Sequence, residues 1–189
     1  MTARVILICH GSTDAVRAAR FPTDEPLDEF GLRGARPLAV GLPKVDRCWT
    51  SPELRTRQTA RALELDAEIE PMLRDCDYGA WAGQTLDEIH AREPDAASAW
   101  LLDPAATPHG GESIAAVILR VGQWLADEQE RGQRAIVVTH PAVIRAAIVH
   151  AVEAAPQSFW RIDVAPLSVT RLSGRHGRWN LSAAGCTAT

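Results

Sequence analysis

Short apolar runs alternate with polar stretches along the chain, and their spacing predicts a series of strands and helices. Arg4 to Cys9 (RVILIC) is apolar and β-branched, stops at His10-Gly11, and reads as a buried strand. A polar stretch with Pro22, Asp24, Pro26 and Asp28 reads as a loop. Gly31 to Val40 carries a weaker helical pattern interrupted by Pro37, and Arg47 to Thr50 is a second short strand. Pro52 to Leu65 (PELRTRQTARALEL) is rich in helix formers, with Pro52 expected in the first turn. Ala67 to Ile69 is a third strand, and Asp75 to Gly83 (DCDYGAWAG) an irregular loop. Short helices follow over Thr85 to Arg92 and Asp95 to Leu102, then a turn over Pro108 to Gly111.

The second half is more regular. Between Glu112 and Arg131, the residues Ile114, Val117, Ile118, Val121 and Leu125 recur at helical spacing, and Gly132 ends the run. Ala135 to Thr139 (AIVVT) is the clearest strand, and Ala142 to Val152 an apolar helix. Arg161 to Val164, Ser168 to Leu172 and Trp179 to Ser182 alternate as strands, with a closing hairpin around Gly174 and Gly177. Strands alternating with helices predict an α/β fold: a three-layer sandwich around a mostly parallel sheet. One domain over residues 1–189 is expected, with the 75–107 stretch an excursion beside the sheet.

Composition narrows the function classes. With 46% hydrophobic and 23% charged residues, the chain is too apolar to stay disordered. No apolar run approaches the roughly 20 residues of a membrane span, and no signal peptide is evident, so a cytoplasmic protein without a membrane partner is expected. Lys44 is the only lysine, leaving 19 of the 20 basic residues as arginine, spread along a chain of net charge −4. A nucleic-acid partner would call for a basic cluster, and none is present. Cys9, Cys48, Cys76 and Cys186 have no CxxC spacing, which argues against a zinc site and reads as four reduced thiols.

In open α/β sheets, ligands bind beyond the carboxyl ends of the strands. That rule selects His10 after the first strand, the Ser51-Pro52 turn leading to Arg55 after the second, and His140-Pro141 after AIVVT. Two histidines and an arginine should therefore converge on one sheet edge. His90, His150 and His176 lack such placement and read as surface or structural residues, with His109 intermediate.

Six segments together resemble the histidine phosphatase superfamily, with its phosphoglycerate mutase-like fold. They are CHGST at the first strand end, PLDEFG (Pro26 to Gly31), SPELRTRQTA (Ser51 to Ala60), LRDCDYGAWAG (Leu73 to Gly83), GGES (Gly110 to Ser113) and VVTHPAVIR (Val137 to Arg145). Their order is the family's, and they cover nearly the whole chain. The resemblance implies a phosphomonoesterase acting on a small phosphorylated metabolite without metal or other cofactor, as monomer or homodimer. It makes His10 the nucleophile that becomes a phosphohistidine. Arg55 and His140 hold the phosphoryl oxygens, and Asp75 is the general acid. Gly11, Ser12, Thr13 and Ala142 are implied to line the substrate. The chemistry is coherent, because a neutral imidazole is a competent nucleophile near neutrality and phosphoryl transfer depends on positioning and cationic stabilisation.

Four positions depart from the family pattern. Cys9 stands where the family has its first phosphate-binding arginine, and a thiol supplies neither the charge nor the paired donors of a guanidinium. Losing one preorganised donor of this kind costs on the order of 10²–10³ in rate. Asp75 replaces glutamate, with Asp77 a possible substitute; Pro141 replaces a glycine and lacks its N–H; and Val16 replaces asparagine. Arg17, Arg20 and Arg145 are candidates to fill the space left by the arginine. An alternative follows: an impaired member that binds a phosphorylated or anionic ligand without efficient turnover. A cysteine phosphatase would need Cys-x5-Arg, but the residue six after Cys9 is Ala15, and a serine hydrolase would need the absent GxSxG.

Overall fold

The structure is a computed structural model that describes residues 2–186. Its centre is a six-stranded sheet in the order β3-β2-β4-β1-β5-β6. The strands are β1 (Ala3–Cys9), β2 (Arg47–Thr50), β3 (Glu68–Ile69), β4 (Arg134–Thr139), β5 (Val169–Arg175) and β6 (Arg178–Cys186). The first four run parallel, whereas β5 pairs antiparallel with β1 and β6 antiparallel with β5.

Alternation along β1 shows why helices cover both faces. Val5, Leu7 and Cys9 point into one apolar cluster with Val117, Val121 and Leu125 of α6 (Ile114–Arg131) and Val143 and Ile144 of α7 (Pro141–Ala151). Ile8 points the other way, against Ala35 and Leu38 of α2 (Glu29–Ala39) and Ala60 of α3 (Leu54–Ala62). A strand buried on both faces reads as a continuous apolar run, which is what RVILIC and AIVVT are. Two short helices, α4 (Leu86–Arg92) and α5 (Pro94–Leu102), form the excursion, and a one-turn helix α1 (Asp14–Arg17) lies in the stretch expected to be loop. Among the described residues, no helix is long and apolar enough to cross a membrane.

Two expectations are corrected. The segment expected as a strand over Arg161 to Val164 is instead the end of a 3₁₀ turn (Pro156–Arg161) and irregular chain. Its alternating apolar residues, Ile162 and Val164, pack partly buried against the core without joining the sheet. The Ile162 carbonyl accepts from Arg145 Nε at 2.7 Å instead of from a ladder. Pro52 also lies outside α3, whose N-cap is Glu53. The hairpin forms as expected: His176 and Gly177 turn between Arg175 and Arg178 with φ of 53° and 76°, as a two-residue type I′ turn requires.

Candidate active site

Three adjacent parallel strands deliver the site. β1 and β4 pair in register up to Cys9 and Thr139, so the next residues, His10 and His140, emerge side by side with ring centroids 5.3 Å apart. β2 ends beside β4, and the turn after it carries Glu53 and then Arg55 in the first turn of α3. The loop after β3 brings Asp75 across from the other side. His10, Arg55 and His140 are all buried, at 2%, 1% and 0% exposure, in a structure whose charged side chains otherwise lie mostly at the surface. Beside them is a small pocket of about 130 Å³, bordered by His10, Asp75, Tyr78, Pro141, Ala142 and Arg145.

The loop after β1 is held by a close backbone crossing. A Cβ on Gly31 would lie 2.4 Å from the Ser12 carbonyl oxygen, so only glycine lets α2 approach the His10 turn this closely. The Gly11 N–H is bound to Thr59 Oγ1 at 3.0 Å, which ties the turn to α3.

His10 Nδ1 lies 2.7 Å from the Gly11 carbonyl oxygen. A carbonyl only accepts, so Nδ1 carries the hydrogen and Nε2 keeps its lone pair. Burial first, then the charges of His140 and Arg55, lower the His10 pKa to about 3, leaving the ring neutral and nucleophilic at pH 7.

Arg55 donates from Nη1 to the Thr23 carbonyl at 2.7 Å and from Nη2 to Asp75 Oδ2 at 2.6 Å. Its Nε has no partner, although it is buried. Asp75 Oδ2 also stands 3.3 Å from His140 Nδ1 without hydrogen-bond geometry, so Nδ1 too is a buried polar atom without a partner. A single carboxylate oxygen thus sits between a guanidinium and an imidazole.

Glu53 is the functional residue that sequence reading missed. Its Oε2 lies 2.8 Å from His140 Nε2, and its Oε1 accepts the Asp75 N–H at 3.1 Å. Burial would raise its pKa, but the hydrogen bond and charge of His140 outweigh that and hold it at about 2. The only sequence signal was a glutamate at an N-cap, a position that prefers Ser, Thr, Asp or Asn. Glu53 makes no cap bond; Asp24 Oδ1 accepts the Leu54 N–H at 2.6 Å in its place.

The remaining candidates divide. Ala142 borders the pocket, and Arg20 reaches its rim while bonded to Glu88 at 3.0 Å and to the Gly83 carbonyl at 2.9 Å. Three others are turned to structural tasks. Ser12 donates to Asp28 at 2.8 Å; Thr13 donates to Glu25 and caps α1; Arg17 lies over the Phe30 ring at 5.2 Å. Asp77 binds the Gly79 N–H. Cys9 is buried in the apolar cluster, and burial, reinforced by Asp75, drives its thiol pKa far up, so it stays protonated. Arg145 is fixed by Ile162 and by the Phe159 ring 5.6 Å away, with its guanidinium at the pocket. Among the described residues, no group of three or more His, Cys, Asp or Glu side chains is placed to hold a metal ion.

The chain is 32% identical over 179 residues to the bifunctional protein Rv2228c of Mycobacterium tuberculosis (strain ATCC 25618 / H37Rv), a match covering 88% of this chain and 49% of that protein. It therefore spans about half the length of that relative. Phosphoserine phosphatase 1 of Hydrogenobacter thermophilus is 29% identical over 185 residues, covering 91% of this chain and 88% of its own. The solved structure of mycobacterial glucosyl-3-phosphoglycerate phosphatase Rv2419c with VO3 superposes with a TM-score of 0.85 at 28% identity, over 97% of this chain and 99% of that one. The six-stranded sheet and its flanking helices have the phosphoglycerate mutase-like architecture. A family model for the histidine phosphatase superfamily (branch 1) matches residues 5–187, and the chain belongs to that superfamily.

Proposed function

We propose that the chain is a phosphomonoesterase that works through a phosphohistidine on His10 and takes a small phosphorylated molecule. The observation that carries this reading is a neutral His10 with a free Nε2 beside two buried, unpartnered nitrogens, Arg55 Nε and His140 Nδ1. Buried polar atoms without partners call for an explanation, and a phosphoryl group would partner both. The relatives named as phosphatases of phosphoserine and of glucosyl-3-phosphoglycerate support the substrate class.

His10 Nε2 attacks phosphorus while the ester P–O bond breaks. The incoming phosphoryl oxygens take the place of Asp75 Oδ2 between Arg55 and His140, and Asp75, released from Arg55, takes up the proton of the phosphomonoester monoanion and passes it to the leaving oxygen. Water then attacks the phosphohistidine, giving its proton to the Asp75 carboxylate as the P–N bond breaks, and inorganic phosphate and neutral His10 return. The Arg145 guanidinium at the pocket is the cation that takes up part of the role lost with Cys9. Arg17 instead lies over the Phe30 ring and does not border the pocket.

The test is phosphate release from p-nitrophenyl phosphate with and without a chelator, together with trapping of radiolabelled phosphohistidine by an alkaline detergent quench, which preserves the acid-labile P–N bond. Chelator-insensitive turnover that disappears in His10→Ala is expected. Phosphoprotein that persists in His10→Ala overturns the mechanism. The second reading, a binding protein with little turnover, is favoured by the Asp75–Arg55 pair that fills the phosphoryl site and by the uncharged Cys9. Tight phosphate-ester binding without release across a broad panel would establish it.

A further inference from the structure

Resting on the phosphohistidine reading above, we propose that Glu53 is a positioning residue that keeps a hydrogen on both ring nitrogens of His140, so that His140 serves as the second cation of a pocket in which Cys9 supplies none. The reasoning is a count of donors and acceptors. The Glu53 carboxylate is an acceptor only, so His140 Nε2, 2.8 Å away, must carry a hydrogen. That contact occupies Nε2 and leaves Nδ1 as the atom facing the phosphoryl site, where Asp75 Oδ2 now stands at 3.3 Å. A phosphoryl oxygen also only accepts. Had Nδ1 a bare lone pair, it would repel both the carboxylate and an entering phosphate. With hydrogen on both nitrogens, a charged imidazolium, it donates to Glu53 from Nε2 and keeps the Nδ1 hydrogen for an entering phosphoryl oxygen.

Every charged group around the ring fits this state. Glu53 approaches from the start of α3 and Asp75 from the loop after β3. His10, from β1, is neutral, with its ring centroid 5.3 Å from that of His140. The positive charge of Arg55 is neutralised by Asp75 at 2.6 Å, and Arg145, on α7 itself, and Tyr78 face the adjoining pocket. The cap of α3 completes the case. The Glu53 side chain makes no cap bond to α3 and is turned to His140, while Asp24 accepts the first helical N–H, that of Leu54. A poor N-cap residue is thus kept where its carboxylate serves the site.

The test compares wild type with Glu53→Gln, which removes the charge but keeps the shape, and Glu53→Asp, which keeps the charge. Because Asp24 holds the first helical N–H, both variants are expected to fold, and thermal unfolding checks this. The first readout needs no turnover: ¹⁵N-imidazole NMR at pH 7 should show His140 with hydrogen on both nitrogens in wild type and on one in Glu53→Gln. The second is kinetic. In Glu53→Gln, kcat/KM should fall about 10- to 100-fold at pH 8 and much less at pH 6, moving the alkaline limb of the profile to lower pH, with Glu53→Asp recovering most of the loss. If wild-type His140 carries a single ring hydrogen, or Glu53→Gln lowers the rate equally at every pH, Glu53 is merely structural and the proposal is overturned. Should the expected NMR difference appear in a protein with no phosphatase turnover, the phosphohistidine reading fails while the role of Glu53 in setting the charge of His140 stands.

Discussion

His10 and His140 leave neighbouring parallel strands just past paired positions, Cys9 and Thr139, yet their imidazoles meet different partners. His10 faces a backbone carbonyl through Nδ1 and has no carboxylate within hydrogen-bond reach. His140 faces Glu53 at one nitrogen and Asp75 at the other. Burial and neighbouring positive charge lower the His10 pKa to about 3 and keep that ring neutral, whereas His140 has a carboxylate oxygen near each ring nitrogen; under the proposed mechanism this suits the first ring to attack phosphorus and the second to face the phosphoryl oxygens. The difference comes from partners rather than depth, which is the general rule for assigning roles to like residues.

The sharpest way to break that comparison is to remove each ring in turn. His10→Asn should lower kcat by at least about 10³-fold and eliminate trapped phosphoprotein, because no other group can form the bond to phosphorus. His140→Asn should cost on the order of 10²–10³ in kcat yet still yield a trace of phosphohistidine on His10, because it removes stabilisation and leaves the nucleophile. Tandem mass spectrometry under neutral to alkaline conditions, which preserve the acid-labile phosphohistidine, maps the modified residue and distinguishes them. Phosphate on His140 in the His10 variant would reverse the assignment.

Cys9 sharpens the same contrast from the other side. If His140 and Arg145 carry the positive charge that the β1 turn lacks, Cys9→Arg should raise kcat/KM by only about tenfold, roughly 1.4 kcal/mol of transition-state stabilisation. Without that compensation the gain should approach the 10²–10³ of a missing donor. A fall in activity in a protein of unchanged fold would mean that the pocket is built around the thiol. Cys9 lies in the apolar cluster beside α7, so thermal unfolding of the variant is the necessary companion measurement.

The two turns also differ in how readable they were. The histidines, Arg55 and the strands that carry them follow from local pattern: apolar runs ended by His-Gly and His-Pro, and a motif spaced for a helix. Glu53 could not be found this way. Its place in the site depends on His140, 87 residues away in sequence, lying opposite. Ser12 and Thr13 failed in the reverse direction. Polar residues after a strand end resemble ligand contacts, but Asp28 and Glu25 engage them first. The Arg161 to Val164 segment has the period of a strand but packs on the core and pairs with no neighbour, because β1 and β6 already occupy both sides of β5. Pattern reports which face of a segment is apolar; only the assembled sheet decides whether an edge is free.

The smallest effect is on stability and follows from the neutral state of His10. Its pKa is lowered from 6.5 to about 3 in the folded protein, so between those values the unfolded chain binds the proton and the folded one does not. Stability therefore rises with pH across this window and is lost on acidification, with a limiting slope of about 1.4 kcal/mol per pH unit. Glu53, held at about 2 against 4.5, adds loss of the same sign, but only below about pH 4.5. Between pH 7 and 5.5 the His10 contribution amounts to roughly 1 kcal/mol, read as a fall in the urea midpoint. His10→Asn should flatten that part of the curve, because its side chain does not titrate. His140→Asn should leave most of the slope, since burial is the leading cause of the His10 shift. If the two variants flatten it equally, the β1 turn does not hold its histidine neutral independently of the β4 turn, and the contrast between the two rings collapses into a single coupled pair.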